Sequence, residues 1–237
     1  MGGEPHGDDD RGDYCLKALE SVQVETGPNP TFSVIWMHGL GADGHDFEPL
    51  VPELLDHGMP ALRFVFPHAP VRPVTINNGY QMRAWYDIIG IDQRSAEDFA
   101  GIHASADAIT DLIRAENSRG IGSARIALAG FSQGGAMALH VATRHPEKLA
   151  GVIALSCYLP LSREFAAKHS SANQHTPIFM AHGSQDPVVP FTMGDESRRL
   201  LAAAGYAVEW HAYPMPHSLC PEEIADLKSW LAKRLVA

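Results

Sequence analysis

The sequence predicts one α/β domain, with a mostly parallel central sheet and helices on both faces. Short β-branched runs alternate with helical stretches along the chain. The runs are almost continuously apolar, as strands covered on both faces require. No internal repeat or linker divides the body, so residues 14–237 form a single unit preceded by a Gly- and Asp-rich tail over 1–13, read as disordered or extraneous to the fold.

The first predicted strand, Thr31–Met37 (TFSVIWM), ends at His38-Gly39. Leu62–Phe66 follows and is stopped by Pro67 and Pro70. The next runs are Arg125–Ala129, Gly151–Leu155, Pro177–Ala181 and Ala207–Tyr213. The helical pattern is clearest over Ser95–Ser118, where Phe99, Ile102, Ala106, Ile109 and Ile113 recur at three and four residues behind acidic Glu97 and Asp98. Further helices are expected over Gln133–Arg144, Pro190–Ala204 and Pro221–Leu235, the last opened by Pro221, Glu222 and Glu223. Strand–helix alternation of this kind gives parallel pairing through right-handed crossovers. Residues 67–94 break the pattern with Pro, Asn-Gly and unplaced aromatics, and are expected to be a long functional loop. Met82, Trp85 and Tyr86 are its candidates for a substrate cleft.

The chemistry starts at Gly130-Phe131-Ser132-Gln133-Gly134, which fits G-x-S-x-G between a β run and a helical stretch. That setting makes Ser132 the candidate nucleophile, on a strained turn that small flanking residues permit. A serine hydroxyl needs a base and an acid to orient that base. The expected chain order is Ser, acid, His. Asp186 lies just past the strand Pro177–Ala181, where ligand-facing residues gather in open α/β sheets. Asp195 falls inside the following helical stretch and faces away from the strand ends. Thirteen histidines make residue type alone useless for choosing the base, so position decides. His217 lies between the last strand and the last helix, which is the expected place. The oxyanion donors should be the backbone N–H of Gln133 and one from the loop after an early strand, with Leu40 in His38–Gly44 as the choice. HGLGADG is not G-x-G-x-x-G and has no Walker lysine, so it does not point to a nucleotide.

HGLGADG, RPVTINNGYQMRAWYDI, GFSQGG, HGSQDPVVP and PMPH stand in one order over roughly residues 30–235. Together they resemble the bacterial carboxylesterases of the phospholipase/carboxylesterase family, which also contains the acyl-protein thioesterases. The resemblance implies an α/β-hydrolase fold without a large lid domain and a Ser132–Asp186–His217 triad. It also implies oxyanion donors at Leu40 and Gln133, no cofactor and no metal, and a possible homodimer. Trp85, Leu159 and Val188 are the residues expected to touch substrate. Pro216 stands where the family often has Gly, and Cys157 stands where Gly or Thr is usual.

Composition narrows the partners. A net charge of −10 opposes nucleic acid or anionic lipid as the main partner. No stretch approaches the roughly 20 apolar residues of a membrane span, and the first residues lack a secretory pattern. Cys15, Cys157 and Cys220 have neither zinc nor disulfide spacing, which suits a reducing cytoplasm. The expected activity is a serine carboxylesterase for short- to medium-chain esters acting through an acyl-enzyme. A thioesterase or lysophospholipase for long acyl chains is the alternative. A non-catalytic ligand-binding protein on the same fold is the third reading.

Overall fold

In the computed structural model, residues 19–90 and 96–235 are described. Their nine strands are β1 (Ser21–Glu25), β2 (Phe32–Met37), β3 (Leu62–Pro67), β4 (Val71–Val74), β5 (Tyr80–Arg83), β6 (Ile126–Phe131), β7 (Gly151–Leu155), β8 (Ile178–Gly183) and β9 (Val208–Tyr213). Six helices accompany them: α1 (Val51–Leu54), α2 (Phe99–Ser118), α3 (Gln133–Ala142), α4 (Ser162–Lys168), α5 (Phe191–Ala203) and α6 (Pro221–Arg234). Seven strands form one sheet in the order β1-β3-β2-β6-β7-β8-β9. Only β1 runs antiparallel, against β3; every other pair in this sheet is parallel.

The fully apolar strands are sandwiched, and alternation along β2 shows how. Ile35 and Met37 join the core under α2 and α3, whereas Phe32, Val34 and Trp36 join the core under α1 and α6. Each such side chain contributes about 1.5–3 kcal/mol by leaving water, which is why the five apolar residues of β2 are buried, carrying Ser33 inside with them. Helix α2 starts at Phe99 rather than Ser95, because the Asp98 side chain accepts the Gly101 N–H and caps it. Ser95 itself and the tail over 1–13 lie outside the described residues.

Two features depart from the sequence expectation. The amphipathic segment SVQVE forms the edge strand β1, packing Val22 and Val24 inward. Within the loop expected over 67–94, of which 91–94 lie outside the described residues, β4 and β5 pair as an antiparallel hairpin. Asn78 and Gly79 at its tip have φ of 55° and 74°, the positive values that an Asn-Gly hairpin turn demands. The Asn-Gly signal was therefore a turn between strands, short enough that flanking prolines masked it.

Candidate active site

The site forms where the parallel strands end, each contributing one loop. At the end of β6, Ser132 has φ 55° and ψ −121°, a conformation that costs energy for a non-glycine residue. Close packing holds it there. A Cβ on Gly130 would come within 2.3 Å of the Gly134 backbone, and one on Gly134 within 2.2 Å of the Met37 carbonyl. Only glycine lets β6, α3 and β2 approach this closely. The Ser132 N–H donates to the Leu155 carbonyl at 2.8 Å, tying the turn to β7.

From β8, Asp186 is buried, and its Oδ1 accepts the N–H groups of Val188 and Val189 at 2.8 and 2.9 Å. Its Oδ2 faces His217 Nδ1 at 2.6 Å, and His217 Nε2 faces Ser132 Oγ at 2.9 Å. A carboxylate can only accept, so Nδ1 carries the proton and Nε2 is left to accept the serine hydroxyl. The three residues chosen from chain order thus meet in one hydrogen-bonded line. The loop carrying His217 packs on the end of β8 because Gly183 lacks a side chain; a Cβ there would lie 2.3 Å from the Met215 carbonyl.

Other histidines near the line have distinct places. His182 is buried, its Nε2 2.9 Å from the Val189 carbonyl and 3.5 Å from Asp186 Oδ2, and burial pushes its pKa down. It therefore supports the Asp186 loop as a neutral ring. Asp195 lies in α5, paired with Arg198 and Arg199 and away from the site.

The His38–Gly44 loop lies against the nucleophile: a Cβ on Gly39 would sit 3.6 Å from Ser132 Cβ. The backbone N–H groups of Leu40 and Gln133 meet no acceptor among the described residues. Gln133 also anchors the site by its side chain. Its Oε1 accepts the Trp85 N–H and its Nε2 donates to the Tyr86 carbonyl, both at 2.7 Å.

The expected substrate contacts separate. Trp85 is completely buried, and its Nε1 donates to the His38 carbonyl at 2.9 Å, so it braces the site from behind and presents no surface to a substrate. The tryptophan's polar edge needed a buried acceptor, which sequence could not supply. Tyr86 is likewise buried, its hydroxyl 3.2 Å from that of Tyr158. Leu159 and Tyr158 line a cavity of about 630 Å³ together with Leu161, Met193 and Leu200; the triad residues do not line it. Val188 is exposed beside Asp186, and Met82 lies against Gly41. Cys157 is buried against Gly135, and burial pushes its thiol pKa strongly upward, so it fills space as an inert group.

One residue near the line was not anticipated. Phe131, the variable position before the nucleophile, packs its ring on His217 with centroids 4.7 Å apart. Phe47 lies behind it at 5.8 Å and stacks on Trp36 at 5.2 Å. The aromatic side chain ahead of the serine was the available signal.

Sheet order, elbow and loop placement define an α/β-hydrolase-fold protein of the serine hydrolase class. The chain belongs to the Phospholipase/Carboxylesterase family, whose model matches residues 19–235. Acyl-protein thioesterase 1 of Mycosarcoma maydis is 40% identical over 94% of this chain and 98% of its own length. Acyl-protein thioesterase 1 of Neurospora crassa is 44% identical over 86% of this chain and 87% of its own length. Among solved structures, Arabidopsis thaliana SOBER1 is 30% identical with a TM-score of 0.82, covering 86% of this chain and 99% of that one. No helix among the described residues is long and apolar enough to cross a membrane.

Proposed function

We propose that this protein hydrolyses acyl thioesters in the manner of an acyl-protein thioesterase, with Ser132, His217 and Asp186 as its catalytic residues. The observation that carries this reading is the Asp186–His217–Ser132 line beside two backbone amides that meet no acceptor among the described residues. The thioester preference rests on the relatives, which moves the long-chain alternative ahead of the short-chain ester reading.

In this mechanism Ser132 Oγ attacks the acyl carbon while His217 Nε2 takes its proton. The carbonyl electrons move onto oxygen, which the Leu40 and Gln133 amides receive. Collapse of the tetrahedral species expels the thiol, protonated by His217, and leaves an acyl-serine. Water then repeats the sequence to release the acid and restore Ser132. Asp186 keeps the imidazole in the Nδ1–H tautomer and stabilises its cationic form. An ester follows the same path with an alcohol as leaving group.

Ser132→Ala should lower thioester turnover to below about a thousandth of the wild-type rate with the melting curve unchanged. A matched series of C2 to C16 thioesters and oxygen esters then tests the substrate class. The expected outcome is the highest kcat/KM on long-chain thioesters; a maximum on short oxygen esters would return the protein to the carboxylesterases.

A further inference from the structure

The loop that would hold the oxyanion has few backbone bonds of its own and is gripped from outside. Between Met37 and Gly44, the internal backbone bond is Ala42 N–H to the Gly39 carbonyl at 3.3 Å. The stronger contacts come from the chain just past β3 and from β5. His68 Nδ1 accepts the Gly44 N–H at 3.0 Å. His38 Nδ1 is 2.7 Å from the Gly39 carbonyl, and its Nε2 accepts the Ala69 N–H at 3.1 Å. Arg83 closes the circuit: its carbonyl accepts the Gly41 N–H at 2.9 Å while its guanidinium donates to the Ala69 carbonyl at 2.9 Å.

Space fits the same picture. A Cβ on Gly44 would lie 2.4 Å from the Phe66 carbonyl and 3.1 Å from His68 Cε1, so the loop is pressed onto β3 where the His68 ring receives it. Leu40 sits between the Gly39 and Gly41 anchors, and its amide, like those of Gly39 and Asp43, meets no acceptor among the described residues. The direction of a backbone amide follows its neighbours' peptide planes, so moving those anchors turns the Leu40 N–H.

We propose that His68 is a positioning residue for the reaction: its unprotonated Nδ1, seconded by the His38–Ala69 bond, fixes Gly44 and through it aims the Leu40 amide at the developing oxyanion. His38 suits its part because burial pushes its pKa down and keeps the ring neutral. The proposal rests on the reading of Leu40 as an oxyanion donor. His68 acts through the loop and touches no reacting atom.

Two polar substitutions separate this role from plain structural support. In His68→Asn the amide oxygen takes the place of Nδ1, whereas in His68→Gln the amide reaches the place of Nε2 and leaves the Gly44 N–H unmet. Losing one oxyanion donor costs about 10²–10³ in kcat. His68→Gln is therefore expected to lose at least about tenfold in kcat, with KM within about threefold, and His68→Asn to recover most of the loss. Inhibition by a trifluoromethyl ketone, whose hemiketal with Ser132 bears the same oxyanion, should weaken in parallel. Equal kcat in the two variants, or a change confined to KM, overturns the proposal.

Hydrogen exchange of the 39–46 amides distinguishes the two possible failures. Unchanged exchange in His68→Gln refutes the grip itself. Faster exchange with unchanged kcat and ketone affinity refutes Leu40 as a donor, while Ser132 can still be labelled by a fluorophosphonate. Should His68→Gln fail to fold, the wild-type imidazole ¹⁵N spectrum decides. A protonated Nδ1 at neutral pH overturns the proposal, and a bare Nδ1 supports it.

Discussion

Gln133 does two things with one residue. Its backbone N–H lies next to the nucleophile, and its side chain holds the Trp85 N–H and the Tyr86 carbonyl in a buried setting. Leucine has similar bulk and cannot replace either bond. Each buried backbone group left without a partner costs about 1–3 kcal/mol, so Gln133→Leu should lose roughly 2–6 kcal/mol in urea unfolding. A loss under about 1 kcal/mol would mean that water takes over both bonds. Ser132, Asp186 and His217 could be chosen from sequence because each follows a strand in a fixed order. The side-chain role of Gln133 could not, since its partners are 47 and 48 residues away and meet it only once the sheet is assembled. Trp85 illustrates the same limit: its aromatic character was visible, but its direction was not.

At the level of elements, the site depends on how closely strands and helices approach one another. Gly134 lets α3 rest against the end of β2, with its missing Cβ aimed at the Met37 carbonyl. A flexible side chain could yield to a methyl group, but backbone cannot. Gly134→Ala should therefore cost at least about 3 kcal/mol, the upper range for overpacking, read as a lowered melting temperature with activity lost in step. Near-wild-type stability would show that α3 can slide away from β2. The sandwiched strands and long amphipathic helices were legible because burial on two faces or one leaves a period in the sequence. Strand β1 and the β4–β5 hairpin escaped. One is an edge strand with a half-buried alternation, and in the other a proline and an Asn-Gly turn look like loop punctuation.

Across the whole molecule, the helix that closes the fold carries a buried acid. Glu223, in the first turn of α6, is completely buried, and desolvation pushes its pKa up to about 8 against the opposing pull of the Cys220 amide. The unfolded chain releases this proton near the ordinary glutamate value, so between the two values the folded state binds more protons. Stability then falls as pH rises through that window, by roughly 3 kcal/mol between pH 4.5 and 7 at about 1.4 kcal/mol per unit. Glu223→Gln should remove this contribution, raising the melting temperature at pH 8 while changing little at pH 4.5; equal shifts at both values would assign the effect elsewhere. The Gly41–Arg83 bond also has a consequence at this scale. It makes the β4–β5 hairpin and the loop bearing Leu40 a single mechanical part. Re-engineering the hairpin to suit a different acyl group would therefore change the rate of bond breaking along with the selectivity.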